Sequence, residues 1–186
     1  MFFGSSFFFW MVAALGTLIL PWHMQQDGVG LAALMALGGD DAEAASALWQ
    51  ALHFGRFWFW PIIAALFLAL PSALPFGSAA LRGRSLIIAG GLGICAIIAQ
   101  GVAIGIQGWS APWLGAIFGD LEDRQFGMGL GGVLASFGFL ILLTDGFALR
   151  GYFKGDRFIA GAVGVLVASI VVFTAWPVAT ILGHIL

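Results

Sequence analysis

Five stretches of the chain carry no charged residue: Met1–Gln26, Phe57–Leu81, Ser85–Gly119, Gln125–Thr144 and Phe158–Leu186, of 26, 25, 35, 20 and 29 residues. Each reaches the roughly 20 residues that a helix needs to cross the hydrocarbon core of a bilayer. None alternates apolar and polar positions with the period of two of a barrel strand. Backbone groups in lipid must be satisfied within their own segment, so the pattern predicts helices. Five membrane-spanning helices are placed at about Phe2–Leu20, Phe59–Ala80, Leu86–Gln107, Phe126–Thr144 and Phe158–Trp176.

Composition strengthens this reading. Of 186 residues, 61% are hydrophobic and 9% charged, against about a quarter charged in a soluble domain. So few charges cannot cover a water-facing surface, which excludes a soluble enzyme and a disordered chain. A net charge of −2 leaves no basic footprint for nucleic acid. The expected fold is all-α: a polytopic membrane helix bundle forming one domain over 1–186, with no internal repeat and no flexible linker. The first stretch has no basic residue before its apolar run and no small-x-small cleavage signal before Pro21-Trp22-His23, so it reads as a retained helix rather than a signal peptide.

The basic residues between the spans set an orientation. Arg82 and Arg84 lie in the second loop, and Arg150, Lys154 and Arg157 in the fourth, whereas the first and third loops hold one each, Arg56 and Arg124. The positive-inside tendency makes the second and fourth loops cytoplasmic. The amino terminus is then on the inner side of the lipid bilayer and the carboxyl terminus on the outer side; in a bacterium, outside is the periplasm.

The outer loops carry other signals. Asp40 and Asp41 precede Ala42–His53, where Leu48, Trp49 and Leu52 recur at helical spacing, which predicts a short amphipathic helix lying on the outer surface. Phe57-Trp58-Phe59-Trp60, Trp109 and Trp113 fit the aromatic belt of a headgroup interface better than a ligand-stacking platform. Small residues mark helix contacts: Gly101 and Gly105; Gly127, Gly131 and Ala135; Ala160, Gly164 and Ala168. Such faces let backbones approach closely, by intramembrane packing or by self-association. Pro61, Pro71 and Pro75 predict an irregular second span.

Candidate chemistry is sparse. Gly127-Met128-Gly129-Leu130-Gly131-Gly132 spells a dinucleotide fingerprint, but it opens a membrane span instead of following a strand. No Lys-bearing phosphate loop follows any glycine pair, so no ATP site is expected. His23, His53 and His184 all fall near the outer face, where neutral imidazoles could hold a metal or haem iron. They lie far apart in sequence with no H-x-x-x-H spacing and no carboxylate at a fixed offset, and interfacial His residues with their polar edge in water explain them better. Asp120, Glu122 and Asp123 beside Arg124 read as a solvated turn rather than a cation site. Asp145 is placed at the start of the fourth loop. With every carboxylate at a span end or in a loop, no intramembrane proton relay is expected. Cys95 is alone, so no internal disulfide forms, and it reads as a small buried apolar residue. No catalytic, cofactor-binding or metal-binding residue is assigned, and the substrate contacts are left open.

One region carries a family likeness: Gly127-Met-Gly-Leu-Gly-Gly, then Ala148-Leu-Arg-Gly-Tyr-Phe-Lys-Gly-Asp-Arg-Phe158-Ile-Ala, then Val172-Phe-Thr-Ala-Trp-Pro177-Val. It resembles the amino-terminal helical region of bacterial ABC-type permeases for ferric iron, with Arg150–Phe158 carrying most of the likeness. The resemblance implies import across the inner membrane, with a periplasmic binding protein delivering substrate and a cytoplasmic ATPase subunit driving the cycle. The family's ATPase-docking loop, E-A-A with a spaced Gly, is missing: Glu43-Ala44-Ala45 lacks the Gly and falls in an outer loop. The expectation is therefore a non-enzymatic permease component that acts with further permease helices, the chain being part of a larger protein. The competing readings are a small haem- or quinone-associated anchor subunit and a scaffold without chemistry.

Overall fold

The computed structural model describes residues 4–24, 45–74, 77–105, 108–119, 121 and 127–175. Among these the chain is helical, apart from a two-residue hairpin pairing Ile104–Gly105 with Gly108–Trp109 and an isolated bridge between His23 and Met128. Helix α1 (Ser5–Ala14) runs on as a π-turn, Leu15–Ile19. It ends at Leu20, held extended at φ −79°, ψ 151°, as the residue before a proline prefers. Helix α2 (Ala47–Leu52) is capped by Ser46, whose hydroxyl accepts from the Trp49 N–H at 3.3 Å. A 3₁₀ turn, Phe57–Phe59, leads into α3 (Trp60–Ala73), with Pro61 in its first turn, where the missing N–H costs nothing. Helix α4 (Ala79–Ala103) starts at its Ser78 cap, the hairpin follows it, and α5 (Pro112–Phe118) follows the hairpin. Helix α6 (Leu130–Leu149) joins α7 (Arg157–Ile170) through a 3₁₀ turn at Tyr152–Gly155, and α7 continues as a π-turn, Val171–Ala175.

Consecutive long helices run antiparallel. Ser85 of α4 donates to the Leu68 carbonyl of α3, and Gln100 near the other end of α4 donates to the Trp58 carbonyl. Trp10 of α1 donates its indole N–H to the Leu66 carbonyl of α3 at 2.9 Å. Helix α6 is the centre, packed against α4, α1 and α7. Its contacts are backbone-close because glycines line them: a Cβ at Gly90 would stand 2.7 Å from the Leu143 nitrogen and 2.8 Å from the Phe139 carbonyl. On the opposite face, a Cβ at Gly138 would stand 2.7 Å from Ala13. The core between these helices is formed by Phe59, Ile62, Ile63, Leu66, Leu86, Phe139 and Leu142, all fully buried.

Among the described residues three helices are long and apolar enough to cross a membrane: Ala79–Ala103, Leu130–Leu149 and Arg157–Thr174. The apolar helical stretches that match the first two expected spans, Ser5–Ile19 and Phe57–Ala73, are shorter than those spans. The second stops at Ala73 because Leu74 turns extended (φ −79°, ψ 154°), just before Pro75. Helix α4 starts before the expected Leu86. Arg82 and Arg84 therefore belong to its first turns rather than to a loop, and Arg82 Nε donates to the Ser72 carbonyl at 3.0 Å.

Other expectations are corrected by packing. The surface helix expected over Ala42–His53 is α2 where described. Ala47, Gln50 and Ala51 are buried against the π-turn of α1 and the start of α3, so it is packed into the bundle end. Among the described residues Gly101 and Gly105 make no helix contact: nothing lies within 4 Å of a Cβ at Gly101, and Gly105 sits in the hairpin. Cys95 is exposed, on the outward face of α4.

Candidate functional site: a buried carboxylate shared by three helices

The polar chemistry of the bundle converges on Asp145. The expectation placed it at the mouth of a loop, but α6 continues one turn beyond it to Leu149. Asp145 stands on the buried stripe of α6 that also carries Gly131, Ala135, Gly138 and Leu142, and it is 2% exposed. A carboxylate removed from water must be hydrogen-bonded. The first turn of α1 supplies the donors. Ser6, fully buried, donates its hydroxyl to Asp145 Oδ2 at 2.8 Å, and Ser5 lies 3.4 Å from the same oxygen. The opening residue of α7 supplies a cation: Arg157 Nη1 donates to Ser5 Oγ at 2.8 Å and reaches Ser6 Oγ at 3.5 Å. The two hydroxyls therefore stand between guanidinium and carboxylate, accepting from one and donating to the other.

Local structure fixes this geometry. Gly151 ends α6 in a left-handed conformation (φ 92°), and Phe153 and Lys154 follow with φ 54° and 56°. Left-handed backbone at non-glycine residues is strained. It turns the chain back within a few residues, and Asp156 then caps α7 by accepting from the Ile159 N–H at 3.0 Å. Arg157 is thus delivered to the first turn of α7, facing α1. The expectation that Asp145 opens the fourth loop is corrected here: the charge pattern ends the span at Thr144, whereas the helix runs on to Leu149 and buries Asp145 within it. The usable signal was the Ser5-Ser6 pair in an otherwise apolar run and the i, i+3/i+4 stripe that leads to Asp145.

A groove of about 680 Å³ opens from this cluster between α1 and α7, floored by α6 and lined by Phe9, Ile141, Phe158, Ala162, Val165 and Leu166. Its polar groups are Ser5, Asp145 and Arg157 at one end and Ser169 at the other. Ser169 is turned onto the Val165 carbonyl at 2.9 Å. Helix α7 is the most exposed of the long helices, with Phe158 and Phe173 at 83% and 80%.

The opposite end of the bundle is aromatic. Trp58, Trp109 and Phe118 pack edge to face and tilted, with centroids 5.2 to 6.2 Å apart, and Trp22 meets Phe59 edge-on at 5.4 Å. Trp60 and Trp113 face outward. His23 packs against Phe59, while His53 is exposed and stacks on Trp49. Both stand at this end, on different elements. Arg56, also here, donates to the buried Gln50 at 2.8 Å. Among the described residues no three His, Cys, Asp or Glu side chains gather into a metal site. The fingerprint glycines serve packing: Gly129 donates its N–H to the Trp22 carbonyl and Gly131 to the Pro21 carbonyl, and a Cβ at Gly129 would collide with the His23 carbonyl. His184, Asp120, Glu122, Asp123, Arg124, Glu43 and Ala44 lie outside the described residues. No protein-family model, curated protein or solved structure matches the chain.

Proposed function

We propose that the chain is a multi-pass component of a bacterial inner membrane, with its basic end in the cytoplasm, and that it forms part of the permease of an ATP-driven, binding-protein-dependent importer. Ferric iron is the cargo that the resemblance implies. The chain shapes or braces the path, while ATP hydrolysis belongs to a partner subunit and delivery to a periplasmic binding protein.

The observation that carries this reading concerns Arg150–Phe158, the segment on which the resemblance rests. It forms the strained turn, the Asp156 cap and the Arg157 contact that tie α7 to α1 beside a buried carboxylate. An ionisable group inside an apolar bundle is costly and marks function more often than support. The test is uptake of radiolabelled ferric iron by the host with the gene deleted. Uptake falls on deletion and returns with the parent gene. Unchanged uptake, or a Soret band in the purified protein, would overturn the reading, the latter in favour of a haem-bearing anchor.

A further inference from the structure

We propose that the groove between α1 and α7 is a binding site for one anionic phospholipid, with the headgroup phosphate at Arg157 and an acyl chain laid along α7. This inference stands whether or not transport is the function. Three observations support it.

The first is the polarity gradient of the groove. Along α7 its side chains are apolar from Phe158 to Leu166, with Ser169 turned onto its own helix, and among the described residues its one cation, Arg157, is at the end. An amphiphile has that same distribution. Asp145, the one carboxylate among the described residues that line the groove, is 2% exposed and covered by the Ser5 and Ser6 hydroxyls, whereas Arg157 is only half-buried. The charge that an incoming ligand meets is therefore positive.

The second is length. From Arg157 to Ser169 the groove follows 12 residues of helix, about 18 Å at 1.5 Å per residue. One leaflet's share of the roughly 30 Å hydrocarbon core is about 15 Å. The groove is thus as long as one acyl chain's stay in its own leaflet, and shorter than a helix that crosses both.

The third is the setting. Arg82 and Arg84 at the start of α4 and Arg150 and Lys154 after α6 stand at the same bundle end as Arg157, and Arg84, Arg150 and Lys154 are exposed. A basic pocket between membrane helices at such an end favours anionic headgroups. Tyr152 and Phe153 beside it are exposed aromatics suited to the headgroup layer.

The experiment is native mass spectrometry of the purified chain in detergent, with phosphatidylglycerol or phosphatidylcholine of identical acyl chains added. The parent should retain one phosphatidylglycerol in preference to phosphatidylcholine. Arg157→Gln should lower phosphatidylglycerol retention about tenfold, to the phosphatidylcholine level, as loss of one charge-assisted contact implies. Ala162→Trp, which fills the groove and leaves every charge in place, should lower retention of both lipids. Should Arg157→Gln fail to fold by circular dichroism, Ala162→Trp decides alone. Equal retention of the two lipids by the parent, or undiminished phosphatidylglycerol on a folded Ala162→Trp, overturns the proposal. So does a dimer that Ala162→Trp dissociates, since the groove would then hold a second copy of the chain.

Discussion

The hydroxyl of Ser6 and the carboxylate of Asp145 lie 2.8 Å apart although 139 positions separate them in sequence. The contact joins the first turn of α1 to the last turns of α6, and Arg157 draws in α7. The strongest of these bonds, by length and burial, is the one from Ser6. Ser6→Ala should therefore destabilise the bundle by roughly 1–3 kcal/mol, the usual cost of leaving a buried acceptor short of a donor. The penalty should shrink in an Asp145→Leu background, where no carboxylate awaits the donor. A double-mutant cycle on unfolding in mixed micelles measures both. Equal penalties in the two backgrounds would mean that the contact does not couple the residues.

Packing provides a paired comparison on neighbouring positions. Gly90→Leu should prevent folding, because its side chain must occupy the space of the α6 backbone at Phe139 and Leu143. Gly91→Leu should be tolerated, since nothing lies within 4 Å of a Cβ there. Gly131→Leu should behave like Gly90→Leu, its Cβ falling 2.6 to 2.7 Å from the carbonyls of Pro21, Gly16 and Leu20. Yield of monodisperse protein after detergent extraction reads the outcome. Similar yields for Gly90→Leu and Gly91→Leu would show that α4 meets α6 by another face.

Strain at the α6–α7 connection can be relieved at one position. Lys154 holds φ 56° and ψ 24°, a left-handed conformation that costs an L-residue roughly 1–2 kcal/mol. Lys154→Gly should raise the thermal midpoint, and Lys154→Ala, which keeps the Cβ, should leave it nearly unchanged. If both substitutions act alike, the lost charge rather than the backbone is responsible.

Topology is open to labelling in a Cys95→Ala background. Single cysteines at Gly151 or Lys154, both exposed at the basic end, should be shielded from an impermeant maleimide in intact cells. Cysteines at His53 or Ser110, exposed at the aromatic end, should react. The native Cys95, exposed at mid-α4, should resist the reagent in membranes, because the surface around it is hydrocarbon. The reverse pattern at the two ends would invert the orientation.

Much of the fold is written in the hydrophobic pattern. Long apolar runs predict the helices, and Gly131, Ala135 and Gly164 stand at helix contacts as their spacing implies. Helix ends were harder to read. Charge marks where a chain prefers water, whereas a helix stops where its backbone must, at the extended Leu20 and Leu74 beside prolines or at the left-handed Gly151. This difference hid Asp145: an acidic residue normally signals a loop, and only its tertiary partners on α1 and α7 make its place inside α6 tenable. Glycine spacing is ambiguous for a similar reason. Gly101 and Gly105 repeat at the same interval as Gly127 and Gly131, but among the described residues nothing lies within 4 Å of a Cβ at Gly101 or Gly127, and only Gly131 of the four meets another helix.

The serine-screened carboxylate also imposes an order of events during synthesis. When the ribosome releases α6, Asp145 enters an apolar setting whose hydroxyl donors, Ser5 and Ser6, emerged well over a hundred residues earlier, while its cation has yet to emerge. Arg157 follows 12 residues later, roughly 1–2 s at ordinary elongation rates of 5–20 residues per second. During that interval α1 alone must shelter the charge. Helix α1 is thus the one that α6 needs first, and delay in retaining α1 would leave α6 exposed at its most vulnerable residue.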